Sequence, residues 1–169
     1  MIHLYYGEGK GKTTSAMGLA LRAAGRGQGV VVAQFLKGAD SGERRALALL
    51  PQVVLLPLPD QVKFTFHMSP EERLAEGARN LALLSQADEL ARSGLYSLVV
   101  LDEVCAALSS GLLPLDPVLT LLDRPGPELV LTGRDPHPAL LLRADYVTCF
   151  HKIRHPYDQG VQARPGIEF

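Results

Sequence analysis

Little in this sequence of 169 residues marks it as a surface for nucleic acid or lipid. Seventeen Lys and Arg stand against eighteen Asp and Glu, a net charge of −1. A nucleic-acid wrapper or a membrane-surface binder needs a basic excess, so the average argues against both. Only two cysteines are present, Cys105 and Cys149, far apart and outside any C-x-x-C pattern. They support neither a disulfide framework nor a cysteine metal site, and read as two buried thiols in a reducing compartment. The amino-terminal MIHLYYGEGKGK lacks the apolar core of a signal peptide. The longest run without charge, around Leu47–Pro59 and holding three prolines, falls short of the ~20 residues of a membrane span. No repeat, low-complexity tract or linker interrupts the chain. The expectation is a cytoplasmic globular protein without nucleic-acid or membrane partners, residues 1–169 forming one domain.

Chemistry is missing as well. No Ser/His/Asp or Cys/His set stands in recognisable context, and His3, His67, His137, His151 and His155 show no metal-ligand spacing. His155 is either a ligand or, by default, a turn residue.

What is present is an alternation of short β-branched runs with helical patterns. Ile2–Tyr6, Val30–Leu36, Val53–Leu56, Leu98–Leu101, Leu129–Leu131 and Tyr146–Phe150 read as strands. Lys12–Ala24 carries Ala, Leu and Met at helical spacing and stops at Gly25. Ser41–Leu50, Val104–Ser110, Asp116–Leu122 and Pro138–Arg143 read as short helices. Ser69-Pro70-Glu71-Glu72 is the clearest local signal, a capping box with proline at the first helical position. Its helix should run to about Ser93, ending at Gly94. Strands alternating with helices predict an α/β fold, three layers about a mostly parallel central sheet.

The first strand runs straight into Gly7-Glu8-Gly9-Lys10-Gly11-Lys12-Thr13-Thr14 and a helix. Strand, glycine-rich loop, Lys-Thr and helix are what a triphosphate cradle requires. Glycines let backbone N–H groups converge on phosphate oxygens, and the helix N-terminus adds its positive end. Lys12 supplies a point charge and the Thr13 hydroxyl a magnesium ligand. Tyr6 stands where the standard pattern has its first glycine, so the loop counted from Gly7 is one residue short. The bland alternative is a glycine-rich turn joining strand to helix.

Ligands in open α/β sheets bind at the carboxyl ends of strands. Asp102 and Glu103 end the strand at Leu98–Leu101, where two carboxylates suit magnesium or its water shell. They also suit a helix N-terminal charge pair. Arg134, after Thr132-Gly133, either touches phosphate or forms a structural ion pair. Gln34-Phe35-Leu36-Lys37-Gly38 adds a third set of polar groups on that edge.

These residues together resemble the P-loop ATP:corrinoid adenosyltransferases of vitamin B12 metabolism. The likeness rests on the shortened Gly7–Thr14 loop, Gln34–Gly38, the Val-Leu-Asp-Glu strand end, Arg124-Pro125 and Leu131-Thr132-Gly133-Arg134. It extends through Ala144-Asp145 and His155-Pro156-Tyr157-Asp158-Gln159-Gly160 to Gly166-Ile167-Glu168-Phe169, over essentially the whole chain. It implies a RecA-like P-loop NTPase fold and transfer of the 5′-deoxyadenosyl group of ATP to corrinoid cobalt, with triphosphate released. Reduced Co(I) would be the nucleophile at C5′, which accounts for the missing protein base. ATP would lie in the loop in the reverse of the usual sense.

Carried over by resemblance, Gly9, Lys10, Gly11, Lys12, Thr13 and Thr14 hold the triphosphate, and the residue pattern adds Gly7 and Arg134 to the ATP contacts. By the same resemblance Thr13 and Glu103 serve Mg²⁺ or Mn²⁺, to which the strand-end reading adds Asp102, and Lys12 and Glu103 are the expected catalytic residues. Arg22 matches an arginine at the nucleoside end. Phe64 and Phe66 match a Phe-x-Trp pair that displaces the corrinoid's lower ligand, here with phenylalanine in the tryptophan position. Without the resemblance, Phe64-x-Phe66 is an alternating stretch whose favoured account is core packing. A flavin or flavodoxin-type electron donor and a homodimer are further implied partners. Many members carry an N-terminal extension over the corrinoid, whereas this sequence opens on its first strand. The expectation is a shorter lid, or one supplied by another segment or subunit. Two other classes remain open at the level of sequence. One is a kinase or ATPase acting at the γ-phosphate, with Glu103 its one candidate activating group. The other is a nucleotide or corrinoid binder without turnover.

The near-zero charge conceals a polarity. Residues 1–45, which build the loop and the next strand end, hold seven basic and three acidic residues, a local excess of +4, and the remainder carries −5.

Overall fold

The computed structural model describes residues 1–38 and 41–168. Six strands form one sheet: β1 (Ile2–Tyr6), β2 (Val30–Gln34), β3 (Val53–Leu55), β4 (Leu98–Asp102), β5 (Glu128–Gly133) and β6 (Tyr146–Cys149). Their order is β3-β2-β4-β5-β1-β6. Each neighbouring pair is parallel, so the expected mostly parallel sheet is parallel throughout.

A parallel sheet is covered on both faces, and its inner strands are therefore apolar runs rather than alternating ones. In β2 and β4 every residue is buried. Val31, Ala33, Val99 and Leu101 point into one core, and Val30, Val32, Leu98 and Val100 into the other. Helices α1 (Lys12–Ala24) and α2 (Gly42–Leu47) cover the second face through Ala16, Met17, Ala20 and Leu47. The first face receives α3 (Pro70–Arg92), α4 (Val104–Ser109), α5 (Leu115–Leu122) and α6 (Pro138–Leu141).

The strand expected over Val30–Leu36 stops at Gln34, because Leu36 takes a left-handed conformation, φ 54. That turn lifts the chain out of the sheet plane and aims Lys37 across the edge. Cys149 corrects the reading of two buried thiols. It is exposed, whereas Cys105 is buried. The sheet order explains the difference: β6 lies on the outer side of β1, and all four of its residues are exposed. Short helices also end earlier than their apolar patterns, α2 at Leu47 and α6 at Leu141.

The long helix α3 starts as its sequence predicts. The Ser69 Oγ accepts from Glu72 N–H at 3.2 Å, and the Ser69 N–H donates to Glu72 Oε2 at 2.9 Å. Two otherwise orphaned donors are thereby satisfied at the mouth of the sheet. Ser69→Ala should lower unfolding stability by about 1 kcal/mol. Urea denaturation checks this, and an unchanged midpoint would contradict the capping account.

Candidate active site

All the strands after which the site is built point the same way, so their following loops meet at one edge. Residues after β1 (Gly9–Thr14), β2 (Lys37), β4 (Glu103) and β5 (Arg134) line a cleft of about 470 Å³. That volume suits a nucleotide-sized ligand.

A buried carboxylate stands behind the cleft. Asp102 is fully buried at the end of β4 and accepts four hydrogen bonds. Oδ1 receives Thr13 Oγ1 at 2.9 Å and Thr132 Oγ1 at 2.7 Å. Oδ2 receives Gln34 Nε2 at 3.0 Å and Lys37 Nζ at 2.7 Å. Burial pushes this carboxyl up, but the Lys37 charge and the donors from Lys37, Thr132 and Gln34 override it and hold it below the usual carboxylate range. Lys37 also donates to Thr13 Oγ1 at 3.0 Å. Gln34 is held from its other end by Arg44, 3.1 Å from its Oε1.

Glu103, next along, is different. It adopts φ 61 at the N-terminus of α4, fixed by its N–H donating to Thr132 Oγ1 at 2.8 Å. A non-glycine residue in that region is uncommon and costs about 1 kcal/mol or more. The strained turn sends its carboxylate into the cleft while Asp102 stays behind it. Burial, then the neighbouring Asp102 charge, raises the Glu103 carboxyl against the pull of Lys37, Lys12 and Arg134. Two adjacent carboxylates are thus pushed in opposite directions by their surroundings.

The loop itself is shaped by the last strand. A Cβ on Gly7 would lie 2.5 Å from the Phe150 carbonyl oxygen, and one on Gly9 2.7 Å from it. The Gly9 N–H donates to that oxygen at 2.7 Å, and the Gly7 N–H to the carbonyls of Gly133 and Arg134 at 3.2 Å each. Both glycines therefore direct their N–H groups to acceptors within the protein. They let the loop pack against Phe150. Donors remain at the start of α1, whose N-cap Gly11 makes no side-chain cap. Ser15 N–H makes the first bond back, to Gly11 O at 2.8 Å, leaving those of Lys12, Thr13 and Thr14 without helical partners. Lys12 Nζ folds onto Gly9 O at 2.9 Å. Burial holds its ammonium below the ordinary lysine range, with Glu103 drawing it back up.

Arg134 lines the cleft and makes no ion pair among the described residues, so the structural-pair reading is set aside. Arg22 stands exposed in the last turn of α1, outside the cleft; ten residues of helix put it about 15 Å along the axis from Lys12. His155 caps a turn, its Nδ1 accepting from Tyr157 N–H at 3.2 Å, and also lines the cleft. Phe64 and Phe66 overturn the core-packing account. Phe64 caps and Phe66 lies within a 3₁₀ turn over Thr65–His67, between β3 and α3, and they are 71% and 76% exposed. The two rings stack with centroids 5.5 Å apart, inclined 16°.

Two contributions escaped sequence reasoning. Lys37 was legible only as a polar group on the right edge. The C-terminal segment gave no site signal, yet Gly166, Ile167 and Glu168 wall the cleft, and Lys10 Nζ donates to Ile167 O at 2.7 Å.

Comparison with known proteins is consistent with this geometry. The family model described as ATP:corrinoid adenosyltransferase BtuR/CobO/CobP matches residues 1–169. The chain is 35% identical over 177 residues to corrinoid adenosyltransferase CobA of Salmonella typhimurium, covering 100% of this chain and 85% of that one. It is 36% identical over 169 residues to the corrinoid adenosyltransferase of Pseudomonas aeruginosa, covering 98% and 82%. The Escherichia coli corrinoid adenosyltransferase is 33% identical over 177 residues.

The raised Glu103 carboxyl has a consequence for stability. Near pH 3, about a unit below the ordinary ~4.3 of a glutamate, the carboxyl is protonated in folded and unfolded chains alike, and Glu103→Gln should be neutral there. Above its folded value the wild-type protein carries a disfavoured charge that the amide removes, so the variant should melt higher at pH 7.5. Thermal melts at the two pH values check this. A variant less stable than wild type at pH 7.5 would contradict the assignment.

Proposed function

The chain belongs to the ATP:corrinoid adenosyltransferase family, and from that premise we propose how its residues divide the work of adenosyl transfer. The reaction carries the 5′-deoxyadenosyl group of ATP to corrinoid cobalt and releases triphosphate. The cobalt is the nucleophile, so the protein must orient the ribose carbon, neutralise the departing triphosphate and keep water from the metal. Whole-chain similarity and the shared strand-end cleft support residues 1–169 acting as one catalytic unit.

In this reading the free N–H groups at the start of α1 and the Lys12 ammonium hold the triphosphate, with Lys10 and Arg134 at the rim. Gly7 and Gly9 act by keeping the loop against Phe150. Magnesium or manganese fits as an ion brought with the nucleotide. The donors near the loop are hard oxygens, the Thr13 hydroxyl and the Asp102 and Glu103 carboxylates, which suit those cations. Among the described residues no cluster of three or more His, Cys, Asp or Glu makes a cage of its own. Thr13 and Glu103 would be its protein ligands, with Asp102 orienting Thr13 from behind. The bound ion would supply charge neutralisation on the triphosphate. Arg22, exposed and outside the lining of this cleft, would meet the nucleotide only at its nucleoside end.

The observation that carries the corrinoid half is the exposed stacked pair Phe64 and Phe66. Two large stacked rings held in water signal a ligand surface, and a flat macrocycle with a detachable lower ligand is a fitting occupant. Removal of that ligand eases reduction of the cobalt. A flavin or flavodoxin-type donor would deliver the electron, a homodimer would close the site, and a reducing cytoplasm suits the free thiols. No helix among the described residues is long and apolar enough to cross a membrane.

MgATP incubated with chemically reduced cobalamin should yield adenosylcobalamin and triphosphate in equal amounts. In the same assay starting from the Co(II) form with a reductant, Phe66→Ala should lose on the order of tenfold, about 1.4 kcal/mol, with cobalamin and much less with cobinamide, which has no lower base to displace. ADP and phosphate without a cobalt–carbon bond would instead indicate a γ-phosphate enzyme.

A further inference from the structure

The triphosphate cleft has a neighbour. A second cavity of about 320 Å³ opens between the end of β2, the segment after β3 and the middle of α3. Leu36, Pro57 and Pro59 make its walls apolar, and Asn80 and Gln86 from α3 place amides in it. One residue lines both spaces: Lys37. An apolar slot with a few amide groups suits a planar heterocycle on a sugar, and polar N–H groups with cations suit a triphosphate. A nucleotide laid across the two spaces passes Lys37 at the junction of its two halves, where ribose C5′ is esterified to the α-phosphate.

The structure holds this lysine deliberately. The left-handed Leu36, φ 54, turns the chain outward just before it. Gly38 just after it runs so close to the next segment that a Cβ would meet the Asp60 carbonyl oxygen at 2.8 Å. Its ammonium is anchored 2.7 Å from Asp102 and 3.0 Å from the Thr13 hydroxyl, so it is positioned from the same carboxylate as the loop threonine. Its side chain is 29% exposed, toward the cavities.

We propose that Lys37 is a catalytic residue of adenosyl transfer, its ammonium facing the α-phosphate oxygen that C5′ leaves. The inference rests on the adenosyl-transfer reading above. The Co(I) electron pair forms the Co–C5′ bond, the C5′–O bond breaks, and its electron pair departs on the triphosphate. No proton is transferred. One unit of negative charge appears on the former ester oxygen, and a fixed cation there binds the product triphosphate better than the substrate. That difference is what lowers a barrier.

The test compares Lys37→Met and Lys37→Arg with wild type in two ways. Calorimetric titration with inorganic tripolyphosphate and, separately, with ATP, both with Mg²⁺, reads the differential directly. Lys37→Met should weaken tripolyphosphate by about tenfold or more and ATP by less than about threefold. Adenosylation of chemically reduced cobalamin should show kcat falling by about a hundredfold with KM for ATP nearly unchanged, and Lys37→Arg should recover part of it. The retained ATP binding shows that the variants are folded. Equal losses for the two ligands, or a kcat within about twofold of wild type, with adenosylcobalamin still formed, would overturn the role of Lys37 alone. Wild-type protein that makes ADP and phosphate instead would overturn the adenosyl-transfer reading together with it.

Discussion

A carboxylate removed from water must be paired and fully hydrogen-bonded, or it neutralises itself or unfolds its surroundings. Asp102 meets that demand with donors from Thr13, Gln34, Lys37 and Thr132. These residues follow or end β1, β2 and β5, strands that the fold sets on both sides of β4. The cost of a lone buried charge therefore becomes a force that draws loop, strand end and neighbouring strand to one point. Three residues that face the cleft, Thr13, Lys37 and Glu103, are arranged around that point. Thr13 is oriented on the first turn of α1, Lys37 is pinned across the edge, and Thr132 passes the constraint on to the Glu103 backbone.

The same constraint divides two neighbouring carboxylates. Asp102, surrounded by donors, is held ionised, while Glu103, turned by its left-handed backbone into the cleft, has its charge disfavoured by burial and by Asp102. A site whose resting charges are partly unsatisfied is ready for a ligand that brings counter-charge with it. A triphosphate with its divalent ion has that character. Because the nucleophile of the family reaction is corrinoid cobalt, the protein has no need of a serine, cysteine or histidine of its own. Its work is electrostatic and geometric: cations and N–H groups along one cleft, an apolar slot beside it, and two aromatic rings standing in water between β3 and α3.

Local chemistry made much of this legible before any fold was known. The capping box at Ser69–Glu72, the Lys-Thr start of α1 and the carboxylates at the end of β4 are each written in a few adjacent residues, and each stands where expected. Contacts made across the chain were harder to read. Lys37 is 65 residues from Asp102, and nothing in Gln34–Gly38 says which partner the lysine takes. The wall formed by Gly166, Ile167 and Glu168 depends on a tail returning over the loop. The glycines at positions 7 and 9 suit a phosphate loop, and the fold adds a second reason for them. That reason is the close approach of Phe150, which only the position of β6 beside β1 reveals. Cys149 was misread for a related cause, since an apolar strand pattern does not say whether the strand lies inside a sheet or at its edge. The aromatic pair shows the limit from the other side, for Phe64 and Phe66 have core composition and a surface position.

The central claim is that one buried carboxylate organises the nucleotide site. Asp102→Asn tests it most directly, since the amide keeps the shape but removes the charge and turns one acceptor into a donor. Calorimetric titration of the folded variant with MgATP should show binding weakened by about 1.5–3 kcal/mol, about ten- to a hundredfold, the worth of hydrogen bonds to a charged group. Wild-type affinity in a variant with an unchanged circular dichroism spectrum would contradict the account.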